Sequence, residues 1–197
     1  RIKEKIKVTF LGTGTSTGVP VIACNCPVCK SNDPRDKRFR TSVLVNICER
    51  NIIIDCGPDF RFQMLKNKVE DIDAVIFTHQ HRDHIAGLDD IRAFNYILNK
   101  SIDIYGSALV IDAIKTEFPY IFKENSFFAA PQLNVNIIDE QPFKICDIEI
   151  IPIRVMHGKM EIFGFRIGDF SYITDANFIE PSELDKIRGS KVVVLNA

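Results

Sequence analysis

The sequence predicts a mixed α/β (α+β) fold in which two β-sheets pack face to face and helices cover the outside. Three observations lead to this prediction. β-rich runs are bounded by turn signals, helical segments lie between the runs of the N-terminal half, and four β-runs follow one another between residues 134 and 174. With 197 residues, of which 46% are hydrophobic, the chain is long enough for one complete core. We therefore expect a single domain over residues 1–197.

The N-terminal half alternates strands with helices. A strand is predicted over residues 6–11, ahead of the glycine-rich loop GTGTSTGVP, and a hairpin is predicted over 41–55. The run IDAVIFT at 72–78 is mostly apolar, which is typical of a strand buried on both faces. The same half also contains a helix over 59–67, a helix over 85–98, a strand over 102–105 and a helix over 107–118.

The C-terminal half is richer in β-structure. Four runs with strand composition are predicted over residues 134–138, 143–156, 161–167 and 170–174. A short helix over 182–188 and a strand over 191–195 follow them. This succession of strands supplies the second sheet of the predicted fold.

Composition excludes several classes of partner. The net charge is −1, so the chain lacks the basic field that extended nucleic-acid binding requires. No apolar run reaches membrane-spanning length, and residues 1–7 lack the apolar stretch of a signal peptide. Three of the six cysteines fall within six residues, which indicates a metal site before it indicates disulfides. We expect a cytoplasmic protein with no membrane partner.

Three of the four histidines lie in one short segment, THQHRDHIAGL at 78–88. In an extended segment, residues two apart point the same way, so His79 and His81 can reach one metal ion together. Asp83 and His84 come next, where the chain turns into the predicted helix, and they face a second point nearby. Imidazole and carboxylate ligands together suit zinc, manganese or iron. Surface polar residues at a strand end are the alternative interpretation, which so dense a cluster disfavours.

The order of the motifs resembles that of the metallo-β-lactamase superfamily of binuclear metallohydrolases. Asp55 in IIIDCG is similar to the first motif, and the histidine segment to the second. His157 in VMHG and Asp175 in YITDA are similar to the third and fourth motifs. The segments GTGTSTGVP, CNCPVC and DPRDKRFRTS are similar to the branch that contains phosphoribosyl cyclic phosphodiesterase. The resemblance implies a four-layered αββα sandwich.

The resemblance also implies a set of metal ligands. One divalent ion would be held by His79, His81 and His157, and a second by Asp83 and His84, with Asp175 bridging the two. Asp55 would orient a ligand by hydrogen bonding rather than bind metal itself. The metals would be zinc or manganese. The superfamily uses one more histidine after the strand that follows the Asp175 region, and the sequence contains none there. We therefore expect a chain that lacks its C-terminal portion.

The cysteine cluster is a second candidate metal site. Cys24, Cys26 and Cys29 can supply three thiolates to a tetrahedral zinc, and the related branch binds a structural zinc at this position. The distant histidine that completes that site is missing from the sequence. Three reduced cysteines in a loop are the alternative.

The expected activity is metal-dependent hydrolysis of a phosphodiester in a small or cyclic substrate. Two metals would lower the pKa of a shared water, orient it for attack and stabilise the developing charge. Asp83 and Asp175 are the candidate catalytic residues for protonating the leaving oxygen, with a residue later in the chain as the alternative. The alternatives are a ribonuclease of the tRNA 3′-processing type, a non-catalytic metal-binding accessory protein of cofactor biosynthesis, and a lactamase or thioesterase. A homodimer is the candidate assembly.

Overall fold

A computed structural model describes residues 5–123 and 129–195 of the chain. Within these residues the first sheet has six strands in the order of the sequence. The first three are antiparallel neighbours, and each later strand runs parallel to the one before it. The strands are β1 (Lys7–Gly12), β2 (Ser42–Ile47), β3 (Arg50–Ile54), β4 (Ala74–Ile76), β5 (Ile102–Gly106) and β6 (Leu133–Ile137).

The second sheet comes from the C-terminal half. Its strand order is β11-β8-β9-β10-β12, and β7 also pairs with β8. Strands β8, β9 and β10 are antiparallel in turn, while β12 runs parallel to β10. The strands are β7 (Phe143–Ile145), β8 (Ile148–His157), β9 (Met160–Ile167), β10 (Phe170–Ile173), β11 (Phe178–Ile179) and β12 (Val192–Leu195).

Short helices connect the strands. In the described part of the chain, three of these helices are 3₁₀ rather than α-helical: Pro34–Asp36, Leu88–Ile91 and Pro181–Glu183. The α-helices are α1 (Pro27–Lys30), α2 (Phe60–Asn67), α3 (Arg82–Ile85), α4 (Arg92–Leu98), α5 (Ala108–Glu117) and α6 (Leu184–Ile187).

Side-chain alternation along the strands builds the layers. In β3, Ile52 and Ile54 point into the core between the two sheets, whereas Ile53 points to the core under the helices. Residues two apart share a face of a strand, so a fully apolar strand buries both faces. A third cluster covers the outer face of the second sheet, where Ile187 of α6 packs against the cluster that contains Ile153 and Val155. The four-layered αββα arrangement predicted from the sequence is confirmed.

Two predicted elements are wrong in detail. The helix expected over 85–98 is interrupted at Gly87, whose amide bonds to the Cys56 carbonyl instead of continuing a helix. The strand expected over 143–156 is a hairpin, because Cys146 adopts a left-handed conformation (φ 51°) and turns the chain between β7 and β8. In both places a local conformation overrides a periodic apolar pattern.

Among the described helices, none is long and apolar enough to cross a bilayer. Residues 1–4, which belong to the segment without a signal-peptide pattern, lie outside the described part of the chain.

Candidate metal centre

Both sheets deliver polar side chains to one edge. Strands β3 and β4 are parallel neighbours, so the loops that follow them, carrying Asp55 and residues 78–84, leave the first sheet on the same side. In the second sheet β8 and β10 both pair antiparallel with β9 and therefore run in the same direction. His157 ends β8 and Asp175 follows β10. The four superfamily-like motifs thus converge although they are far apart in sequence.

Three histidines form the first group of donors. The His79 Nε2 atom lies 3.1 Å from His81 Nδ1, and the ring centroids of His81 and His157 are 5.1 Å apart. One ring nitrogen from each of the three residues lies within 4.8 Å of the others. This spacing allows a single ion to bind all three, as predicted from the sequence.

The second group shares His79 with the first. Ligand atoms of His79, His84 and Asp175 also lie within 4.8 Å of one another. Asp175 Oδ2 is 2.9 Å from His84 Nε2 and 3.5 Å from His79 Nε2, so its carboxylate faces both groups. Asp83 Oδ2 approaches His84 Nε2 to 3.1 Å. All six predicted ligands are therefore gathered in one place, and their binding of metal stays a prediction.

Asp55 supports the centre from behind. It is fully buried, and its Oδ2 atom lies 2.7 Å from His84 Nδ1. Its Oδ1 accepts a hydrogen bond of 2.8 Å from the Thr78 backbone N–H. A bond of this kind holds the imidazole so that Nε2 points toward Asp83 and Asp175. This is the orienting geometry that the sequence predicts for Asp55.

The pKa values of His79 and His84 are shifted in opposite directions. Burial, together with the positive charge of His84, lowers the pKa of His79 to about 4. Burial also acts to lower the pKa of His84, but Asp55, Asp175 and Asp83 outweigh it and raise that pKa to about 12. Burial acts to raise the pKa of Asp175, yet the hydrogen bond and charge of His84 lower it to about 2. Without a cation, His84 therefore takes the positive charge in a site lined by carboxylates.

Close backbone contacts hold the two loops of the first sheet together. The Cys56 amide donates to the His84 carbonyl at 2.7 Å. A Cβ atom on Gly57 would lie 2.0 Å from the Asp83 carbonyl oxygen, and one on Gly87 would lie 2.0 Å from the Gly57 carbonyl oxygen. Both positions therefore require glycine because backbone atoms occupy the space of a side chain.

We expect Gly57→Ala to displace the loop that carries Asp83 and His84. The overlap with backbone should cost about 1–3 kcal/mol of folding free energy and weaken zinc binding. Thermal unfolding in chelator and zinc titration would measure the two effects. Gly189→Ala is the control, since its nearest atom would be 3.6 Å away and only its left-handed backbone (φ 82°) is strained. Unchanged zinc affinity in Gly57→Ala would contradict the expectation.

The three cysteines of the second candidate site lie together. The Sγ atoms of Cys24, Cys26 and Cys29 are within 4.8 Å of one another. The Cys29 amide donates to Cys26 Sγ at 3.4 Å, and the Val21 amide donates to Cys29 Sγ at the same distance. This arrangement suits a thiolate site, and among the described residues the group contains these three alone. A structural zinc here stays a prediction.

Two residues that support the centre were missed by sequence reasoning. The side-chain oxygen of Asn177 accepts a 2.5 Å hydrogen bond from the Gly158 backbone N–H, and the Asn177 backbone N–H donates to the Met156 carbonyl. These two bonds hold the residues on either side of His157. The Thr78 hydroxyl lies between Asp55 and His79. For Thr78 a signal existed, since it is a polar residue at the end of a buried apolar strand. For Asn177 the sequence offers none.

The family model of the beta-lactamase superfamily domain matches residues 50–197, which include all four motifs at this edge. The chain belongs to the metallo-β-lactamase superfamily. The fold and the order of its motifs are therefore confirmed.

Two curated relatives match most of this chain. An octanoyltransferase of Porphyromonas gingivalis is 37% identical over 193 residues, which cover 97% of this chain and 39% of that protein. A ribonuclease Z of Clostridioides difficile is 35% identical over 147 residues, which cover 70% of this chain and 46% of that protein. The chain thus spans less than half the length of either relative.

Solved structures agree with this assignment. A diphosphatase from the PhnP family has a TM-score of 0.87 and 35% identity, and the match covers 96% of this chain and 73% of that one. The Zn²⁺-bound PqqB of Methylobacterium extorquens has a TM-score of 0.78 and 19% identity, and the match covers 98% of this chain and 73% of that one. At this identity the similarity shows the fold alone. The match to this family confirms the branch of the superfamily that the N-terminal motifs predict.

Proposed function

We propose that the chain is a metal-dependent hydrolase that holds two divalent cations and cleaves a phosphodiester bond in a small or cyclic substrate. The observation that carries this proposal is the pair of donor groups that share His79, with the Asp175 carboxylate facing both. A paired site of this kind matches the needs of phosphoryl chemistry, in which an attacking and a leaving oxygen must both be stabilised.

The donor chemistry fits divalent cations such as zinc or manganese. His79 stays neutral at physiological pH, because its pKa is lowered to about 4, and it can therefore offer a lone pair. The three-histidine group suits zinc. The group of His79, His84 and Asp175, with Asp83 Oδ2 3.1 Å from His84 Nε2, suits a cation that prefers oxygen ligands as well. When bound, the two cations would lower the pKa of a water molecule and stabilise negative charge on the phosphoryl oxygens.

Asp83 and Asp175 are the proposed acid–base groups. Burial acts to raise the pKa of Asp83, but the hydrogen bond and charge of His84 lower it, as they do for Asp175. Both residues therefore begin as carboxylates, which can accept a proton from the attacking water and later give it to the leaving oxygen. Their side chains remain about one-fifth exposed, which leaves them within reach of a substrate.

A ribonuclease acting on tRNA 3′ ends is the second candidate function. The 35% identity to the ribonuclease Z of C. difficile favours it. The near-neutral charge of this chain favours a small substrate, since binding of extended RNA rests on many phosphate contacts. The diphosphatase of the PhnP family likewise supports a phosphate compound as the substrate. We further propose that the protein acts in the cytoplasm, with a second copy of the chain as its assembly partner.

The proposal is tested by assaying protein loaded with zinc or manganese against four substrates. These are bis(p-nitrophenyl) phosphate, a cyclic ribose phosphodiester, a diester of diphosphate, and precursor tRNA. We expect cation-dependent cleavage of the small phosphodiesters. Cleavage of precursor tRNA alone, with a steep dependence on salt, would favour the ribonuclease. Two bound cations without cleavage of any phosphate compound would overturn the proposal and favour thioester or lactam chemistry, or an accessory role.

A further inference from the structure

Thr78 links the two halves of the metal centre. It follows β4, directly precedes His79 and is buried, with 2% of its surface exposed. Its hydroxyl oxygen lies 2.8 Å from Asp55 Oδ2 and 2.9 Å from His79 Nδ1. On the other side of the same carboxylate oxygen, His84 Nδ1 is 2.7 Å away. A continuous hydrogen-bonded chain therefore runs from His79 through Thr78 and Asp55 to His84.

The number of protons fixes the direction of each bond. A carboxylate only accepts, and a threonine hydroxyl has a single proton to give. Since that proton goes to Asp55, the Thr78 oxygen must accept from His79, so the proton of the His79 ring sits on Nδ1. His79 Nε2 then keeps a free lone pair, and this is the atom that faces His81 and Asp175.

We propose that Thr78 is a positioning residue that sets the tautomer and orientation of His79 for cation binding. Through it, the buried carboxylate of Asp55 orients two histidines of the centre: His84 directly and His79 by way of the hydroxyl. This inference rests on the cation-binding part of the proposed function and is independent of the substrate.

The hydroxyl can be removed with little other change. The Thr78 amide bonds to Asp55 Oδ1, and its carbonyl accepts from the Phe163 amide at 3.1 Å, so both anchors belong to the backbone. Thr78→Val keeps the branched shape and these backbone bonds but leaves His79 Nδ1 without its partner. Thr78→Ser keeps the hydroxyl. Thr41→Val is the matched control, because the buried Thr41 hydroxyl donates to a backbone carbonyl, that of Gly14, at 2.9 Å.

Zinc titration by calorimetry tests the role of the hydroxyl. Loss of a partner that orients a metal-binding histidine typically weakens metal binding about 10–100-fold. We expect this loss in Thr78→Val for the site that contains His81 and His157, with affinity retained in Thr78→Ser and Thr41→Val. Circular dichroism identifies any variant that fails to fold. Equal zinc affinity in folded Thr78→Val and the natural protein would overturn the inference.

A second measurement needs no variant with altered stability. The chain has four histidines, so the ring nitrogens of the metal-free natural protein give few signals in ¹⁵N NMR. We expect His79 to carry its proton on Nδ1, and a proton on Nε2 would overturn the inference. A protein that passes both tests but cleaves no phosphate compound would refute the proposed activity while leaving the role of Thr78 intact.

Discussion

Replacing Asp175 with alanine should abolish cation-dependent hydrolysis. The Asp175 carboxylate lies beside His84 Nε2 and His79 Nε2, at 2.9 and 3.5 Å, so its removal weakens both donor groups together. We expect kcat/KM for bis(p-nitrophenyl) phosphate to fall about 1,000-fold or more, which corresponds to about 4 kcal/mol of transition-state stabilisation. Metal analysis of the purified variant should also show the loss of one of the two cations.

The matched control for this experiment is Asp185→Ala. Asp185 pairs with Arg188 on the surface, and its side chain is 75% exposed. An exposed ion pair of this kind contributes little to stability, so this variant should keep both cations and full activity. Two bound cations and normal turnover in Asp175→Ala would contradict the assignment of Asp175 to the centre.

The metal-free protein should lose stability as the pH rises above about 6.5. The folded pKa of His84 is about 12, above the ordinary value of 6.5, so the folded state holds one more proton than the unfolded chain between these values. The stabilisation is therefore complete below pH 6.5 and is lost progressively toward pH 12. The free energy of unfolding falls by up to about 1.4 kcal/mol per pH unit, or about 2 kcal/mol between pH 6.5 and 8.5, because the unfolded imidazole is still half protonated at pH 6.5.

His79 produces the opposite slope on the acid side. Its folded pKa is about 4, so its stabilisation is present above pH 6.5 and is lost as the pH falls through 4. Denaturant unfolding in the presence of chelator, measured at several pH values, should show greatest stability near pH 6.5. His84→Asn should remove the decline between pH 6.5 and 8.5. A natural protein that gains stability over that interval would contradict the pKa assigned to His84.

Local sequence patterns predicted most of the architecture. The alternation of Ile52, Ile53 and Ile54 between two cores follows from the period of two that every strand has. The interruption at Gly87 could not be predicted, because it depends on the Cys56 and Gly57 carbonyls, about thirty residues away along the chain. Apolar spacing describes one segment, whereas this break is imposed by a neighbouring loop.

The candidate site divides in the same way. The residue types and the spacing of His79, His81, Asp83 and His84 predict metal binding, because ligand preference is a property of the side chains themselves. Local spacing could not show that His79 belongs to two donor groups. The grouping depends on where β8 and β10 end, since the ends of these two strands of the second sheet place His157 and Asp175 beside His79.

The sequence by itself therefore determined the layered α/β fold, the superfamily and the side chains able to bind a cation. These follow from periodicity, motif order and side-chain chemistry, all of which can be read from the order of the residues. Only the tertiary structure decided the proton positions and charges of the centre. The Thr78 hydroxyl reaches both Asp55 and His79, and the pKa values of His79 and His84 separate. Both outcomes depend on burial and on distances of a few ångströms between residues that folding brings together.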